Sequence, residues 1–299
     1  MTLTSMRELI DGSVARRSGL GAFNVVHLET AEAIIAAAEQ TGIGVVLQIS
    51  ENCVSYHGGL EPIALATLAA AAASSAPIAV HLDHAEDESL ARRAIDLGFG
   101  SVMYDGAHLD YAENVAATSR VARHAHAAGA FVEAELGRIG GKDGAHTPGV
   151  RTDPAEAADF VAATGVDALA VAVGSSHAMS TRSAALDVEL IARLHAAVPV
   201  PLVLHGSSGV PDDGIRAAIR AGMTKINVST QLNRHFTAAV RAHLLEHPDV
   251  VDSRRYMAAG RSAVTMEAAR LLRAFTGTDA AQDAATPRHQ EHRIEGEPT

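Results

Sequence analysis

Val80-His81-Leu82-Asp83-His84 is an apolar run that ends in a carboxylate and an imidazole, and its form sets the reading of the whole chain. A strand buried on both faces is nearly continuous in apolar residues, and polar groups appear where it emerges at its carboxyl end. Working outward from this run, which begins a strand at Ile78–Leu82, seven others share its form. They are Ala22–Val25, Val45–Ile49, Ser101–Tyr104, Phe131–Glu135, Ala168–Val171, Leu202–Leu204 and Lys225–Val228. Helix-like segments separate them at intervals of roughly 20–35 residues, the spacing of βα units. Eight such strands predict an α/β fold of the (β/α)8 TIM-barrel type. An open doubly wound sheet is the alternative, but no Gly-x-Gly-x-x-Gly turn follows the first strand.

Helix signals agree with that count. Asp153-Pro154 places a cap before a proline at a first helical position, and Pro211-Asp212-Asp213 opens another helix. Gly98, Gly129, Gly165 and Gly222 each stand where a helix must close before a strand. Residues 1–276 are therefore expected to form one barrel. Within it, 137–152 is a glycine-rich stretch too long for an ordinary βα turn, with the character of a mobile lid. Residues 277–299 are polar and are expected to form a disordered tail.

Composition narrows the function. The net charge of −11 leaves no basic stripe for phosphate backbones and argues against nucleic acid as a partner. Ile63 to Val80 is the longest low-polarity stretch, but it is alanine-rich and broken by Ser74, Ser75 and Pro77, so no membrane span is expected. The single Cys53 excludes an internal disulfide framework. Without a secretory pattern in Met1 to Leu20, cytoplasmic residence is the expectation.

The chemistry lies in what the strand ends present. His84, His177 and His205 follow three different strands, in His-Leu-Asp-His84, Gly-Ser-Ser-His177 and Leu-His205-Gly. Three imidazoles with a fourth position open make a catalytic zinc site, whereas a structural site is closed by four protein ligands. Asp83 beside a proposed ligand reads as a general acid/base or as a group orienting an imidazole. His81, of the same strand parity, reads as support. Glu133 and Glu135 also share parity: one is an alternative metal ligand, or both satisfy nearby arginines. Gly206-Ser207-Ser208-Gly209 after strand seven and Asn227-Val228-Ser229-Thr230 after strand eight supply backbone amides where barrels commonly bind phosphate. Metal, carboxylate and anion site together suit a phosphorylated hydroxyketone whose ene-diolate is stabilised for carbon–carbon cleavage.

Seven linked motifs carry a resemblance. They are Phe23-Asn24-Val25, Gln48-Ile49-Ser50, His81-Leu82-Asp83-His84, Val132-Glu-Ala-Glu135-Leu-Gly137, Gly174-Ser-Ser-His177, Leu204-His205-Gly206-Ser-Ser-Gly209 and Lys225-Ile-Asn227-Val. From about Arg7 to Arg273 the chain resembles the class II, metal-dependent ketose-bisphosphate aldolases, which act on fructose or tagatose bisphosphates. The resemblance implies one Zn2+ per subunit on His84, His177 and His205, with Glu135 offering an alternative position for the ion and a monovalent cation as a further cofactor. It implies that Asp83 handles the proton on the C4 hydroxyl. Asn24, Ser50, Ala178, Gly206, Ser207, Ser208, Asn227, Val228, Ser229 and Thr230 are then substrate contacts. Arg254 and Arg261 are expected at the distal phosphate, often across an interface, so a homodimer or homotetramer is implied. The substrate expected first is fructose 1,6-bisphosphate, cleaved to dihydroxyacetone phosphate and glyceraldehyde 3-phosphate.

Three positions depart from the family pattern. Asp143 stands where the lid usually carries the glutamate that deprotonates dihydroxyacetone phosphate, so its reach is shorter. Ala178 replaces a glycine after the second zinc histidine, and its methyl crowds the phosphate. Ser229 replaces the aspartate of fructose-specific members and the alanine of tagatose-type ones, which leaves the C4 epimer open. Three rival readings complete the set. A Schiff-base aldolase would need Lys225 in the cavity. A metal-dependent amidohydrolase would want His-x-His at strand one, where Asn24 stands. A non-catalytic sugar-phosphate-binding homologue would tolerate Asp143 and Ala178.

Overall fold

Each apolar run becomes a strand because its β-branched residues pack on both faces of a pleated sheet. The computed structural model describes residues 3–136, 151–175 and 182–278. The strands are β1 Leu20–Asn24, β2 Val45–Ser50, β3 Ile78–Ala85, β4 Ser101–Tyr104, β5 Phe131–Leu136, β6 Ala168–Val171, β7 Leu202–Leu204 and β8 Met223–Val228. They pair in chain order, all parallel, and β8 returns to β1, so the sheet closes into the expected barrel. Three strands keep the boundaries read from sequence. The others differ at their ends: β1 begins two residues earlier and stops one earlier, β2, β3 and β5 run on by one to three residues, and β8 begins two residues earlier.

Helix α1 Met6–Arg16 precedes β1, and α2 Leu28–Thr41 follows it. Two helices, α3 Glu51–His57 and α4 Glu61–Ala73, lie between β2 and β3. The outer ring continues with α5 Glu88–Asp96, α6 Tyr111–Ala127, α7 Pro154–Thr164, α8 Val188–Ala197 and α9 Asp212–Ala221. After β8 come α10 Thr230–Glu246 and α11 Ser253–Thr276, and α11 packs on α2 and α10. No described helix is long and apolar enough to cross a membrane.

The caps follow the sequence signals. Asp153 accepts from the amides of Ala155 and Glu156 with Pro154 at the first position of α7. Gly222 ends α9 with φ +123°, and a Cβ there would stand 2.4 Å from His195 Cγ, so glycine is required twice over. The α11 helix ends at Thr276 on the left-handed Gly277.

The strand period of two layers the barrel interior. At the amino end, Met6, Leu9 and Ile10 of α1 plug the opening against Leu20, Val46, Phe131 and Val203. One step up, four of the strands turn polar: Gln48, His81, Glu133 and Lys225 are all fully buried. One further step up brings Asn24, Ser50, Asp83, Glu135 and Asn227 to the carboxyl rim. The apolar floor, the charged middle and the polar rim are one pattern read at successive inward positions.

Candidate active site

A pocket opens at that rim. Its walls are Asn24 of β1, Gln48 and Ser50 of β2, Asn52 of α3, and Asp83 with His84 of β3. The far side is Gly206, Ser207 and Ser208 after β7, with Asn227, Ser229 and Thr230 at the end of β8. Asp83 is the best-held group in it. Its Oδ2 accepts from Asn24 Nδ2 at 3.2 Å and from Gln48 Nε2 at 3.4 Å, and its Oδ1 from Asn227 Nδ2 at 3.3 Å. Three neutral carboxamides thus orient a buried carboxylate.

Strand alternation alone would turn His84 away from the pocket, because Asp83 already points inward. The backbone solves this with a bulge. The β3–β4 register shifts between Leu82 and Ala85, and His84 takes φ +52°. A left-handed non-glycine residue costs on the order of 1–3 kcal/mol, and bulges beside active sites re-aim side chains in this way. Consecutive residues then serve one cavity. His84 Nδ1 donates to Asp105 Oδ2 at 2.7 Å, and the His84 and His205 rings meet edge to face with centroids 4.5 Å apart. His205 donates Nε2–H to Glu133 Oε1 at 2.9 Å, while its Nδ1 lies 3.5 Å from Glu135 Oε2.

The donor set fits a divalent cation. Asp83, His84 and His205 each offer an atom within 4.8 Å of the others, and so do His84, Asp105 and Glu135. Burial disfavours a charged His84, but the carboxylates of Asp83, Asp105 and Glu135 outweigh it and lift its pKa to about 9. That field of carboxylates favours positive charge where an ion would sit. His81 goes the other way. Burial, then the Lys225 charge, hold its pKa well below the usual value against the pull of Glu133.

The anion side is built from backbone. Gly206 takes φ +67° into a 3-10 turn at Ser207–Gly209, and Ser207 Oγ donates to the Asn227 carbonyl. Ser229, the residue before α10, makes no side-chain cap of its own, and the Gln231 amide donates instead to Ser208 Oγ at 3.2 Å. A helix start beside glycine and serines suits a phosphate.

Several expectations meet a different outcome. Glu133 does not satisfy an arginine: it pairs with Lys225 at 2.8 Å and with His205. Val228 turns its side chain into the buried shell between strands and helices, so only its backbone is left to face a ligand. Arg254, on α11, pairs with Asp252, and Arg261 with Glu32; neither lines the pocket of its own chain. Lys225 is fully buried beneath the pocket rather than in it, which removes the Schiff-base reading. Thr152, at the end of the expected lid, is buried and bridges the Leu136 carbonyl and the Ala172 amide. His177, Ala178 and Asp143 lie outside the described residues, as do 137–150 and the tail from 279. Asp105 and Asn52 were missed. Asp105 follows β4 at the same rim as the other strand-end groups, so the same positional rule applied to strand four finds it.

Comparison with known proteins settles the family. The family model of class-II fructose-bisphosphate aldolases matches residues 4–280. The chain belongs to that family. A fructose-bisphosphate aldolase of Geobacillus stearothermophilus is 38% identical over 279 residues, 92% of this chain and 97% of that protein. The YdjI aldolase of Escherichia coli K12 superposes with a TM-score of 0.80 at 30% identity, covering 92% of this chain and 97% of its own. A Coccidioides immitis protein provisionally assigned as a fructose-1,6-biphosphate aldolase gives 0.82 at 29%, covering 94% and 99%. This class-II aldolase family member is therefore an aldolase lyase of a generally metal-dependent, sugar-phosphate-utilising family.

Proposed function

We propose that the protein is a zinc-dependent aldolase that reversibly cleaves fructose 1,6-bisphosphate to dihydroxyacetone phosphate and glyceraldehyde 3-phosphate. The observation that carries this reading is a carboxylate, Asp83, held by three carboxamides within one cluster with His84 and His205. His84 and His205, with His177, are the residues that would hold the ion, and Glu135 is a carboxylate near both described imidazoles. When bound, the ion supplies Lewis-acid polarisation of the ketose carbonyl and charge stabilisation for the ene-diolate.

The remaining work falls to the chain. Asp83 takes the proton from the C4 hydroxyl as the C3–C4 bond breaks, and returns it in condensation. Asn24, Gln48 and Asn227 keep that carboxylate aimed. Gly206, Ser207, Ser208, Ser229, Thr230 and the Val228 backbone bind a phosphate at the start of α10, which fixes the carbon chain relative to Asp83. Ser50 adds a hydroxyl at the opposite wall. Asp143 is assigned the proton on dihydroxyacetone phosphate, and Ala178 a place beside the phosphate. Arg254 and Arg261 are assigned the distal phosphate of a partner subunit in a homo-oligomer, consistent with their exposure away from their own pocket.

The test is cleavage of fructose 1,6-bisphosphate by the purified, zinc-supplemented protein, coupled to reduction of the dihydroxyacetone phosphate. Turnover that chelator abolishes supports the proposal. No turnover above the blank for fructose or tagatose 1,6-bisphosphate overturns it.

A further inference from the structure

Beneath the pocket, the barrel carries charge where such interiors are ordinarily filled by branched apolar side chains. Lys225, Glu133, His81 and His205 are all fully buried there. Glu133 is the hub. Its Oε2 lies 2.8 Å from Lys225 Nζ and 3.8 Å from His81 Nε2, and its Oε1 accepts the His205 Nε2–H at 2.9 Å. His81 is anchored from behind, its Nδ1 2.7 Å from Ser101 Oγ. Desolvating a lysine and a glutamate is costly, and apolar residues of equal volume often serve stability as well or better. Packing alone gives no reason for this pair.

The reason lies in the direction of the hydrogen bond. A neutral imidazole has one donor nitrogen and one acceptor nitrogen. Once Nε2–H is committed to Glu133, Nδ1 carries the lone pair, and Nδ1 is the nitrogen on the side of Glu135. We propose that Glu133, held in place by Lys225, is a positioning residue that fixes the ring and tautomer of His205 so that Nδ1 is presented to the ion. Asp105 does the equivalent for His84, whose Nδ1 it holds, leaving Nε2 as the ligand nitrogen. Each described histidine of the cluster therefore has its own carboxylate partner, and a different ring nitrogen faces the site in each. The inference rests on the metal-site reading given above.

The test compares wild type with Glu133→Gln and with Glu133→Gln/Lys225→Met. Zn2+ affinity is read by competition with a chelator, and ligand geometry by the visible absorption of the Co2+-loaded protein. Loss of the charged acceptor should weaken Zn2+ binding about 10–100-fold and alter the cobalt bands, with circular dichroism unchanged. Both variants binding Zn2+ within twofold of wild type, with the same cobalt spectrum, would overturn the proposal and leave the pair as filling. If the single variant does not fold, the double variant decides, since it leaves no buried charge unpaired. A wild type that binds no Zn2+ would sink the metal-site reading itself, an outcome distinct from the first.

Discussion

Replacing Asp83 by asparagine separates proton transfer from shape. The carboxamide is isosteric with the carboxylate but cannot take the C4 hydroxyl proton. A positioned general acid/base contributes about 10²–10⁴-fold, or about 3–5 kcal/mol of barrier at 1.36 kcal/mol per decade. The neighbours add a second effect. Both Asp83 oxygens accept, Oδ2 from Asn24 and Gln48 and Oδ1 from Asn227. Either orientation of an asparagine amide sets an NH2 group against a donor, losing one bond or two. One such buried conflict costs about 1–3 kcal/mol, which for a chain of this size lowers Tm by about 2–5 °C. Asp83→Asn should therefore fold, melt slightly earlier, and lose at least about 100-fold in kcat/KM in a coupled cleavage assay. A variant that melts as expected yet keeps kcat/KM within tenfold of wild type would refute the role given to this carboxylate.

Other perturbations have equally definite outcomes. Asp105→Asn exchanges the charged acceptor of His84 Nδ1 for a neutral one, and chelator competition should show Zn2+ affinity reduced by about tenfold; an unchanged affinity would deny the carboxylate its role. Gly222→Ala forces a Cβ into His195 at φ +123° and should cost about 2–3 kcal/mol in urea titration, with partial recovery in Gly222→Ala/His195→Ala; a wild-type midpoint would contradict the strain. Burial works against charged Asp212 and Glu267, but bonds from Arg182 and Arg270 to Asp212, and from Arg270 to Glu267, outweigh it and lower both pKa values. Their stabilisation is thus present above the unfolded carboxyl pKa of about 4 and lost as pH falls through the lower folded values. Thermal melts between pH 5 and pH 3 should show a steeper decline in wild type than in Arg270→Met, and parallel declines would show that the network contributes nothing.

Much of this was legible in the chain because barrel strands are buried on both faces and end at one rim. Val80 to His84 shows the logic: the apolar run gave the strand, and the polar residues at its end gave the site. Ser101–Tyr104, Ala168–Val171 and Leu202–Leu204 were read to the residue. What patterning could not supply was the third dimension. His84 sits at a position that alternation turns outward, and only the bulge brings it beside Asp83. Lys225 and Glu133 were each visible as charges on strands, but their pairing across the barrel depends on the register that closes β8 against β1. Asp105 was overlooked because the rule of polar strand ends was not carried through strand four. Arg254 and Arg261 lie off the pocket of their own chain, paired with Asp252 and Glu32, a placement that patterning along the sequence does not reveal.

The most direct test of the account is anomalous scattering at the zinc edge from crystals grown with Zn2+. The account predicts one strong peak per chain, in contact with His84 Nε2, His205 Nδ1 and His177. No peak there, or a peak bound by neither described imidazole, would contradict it.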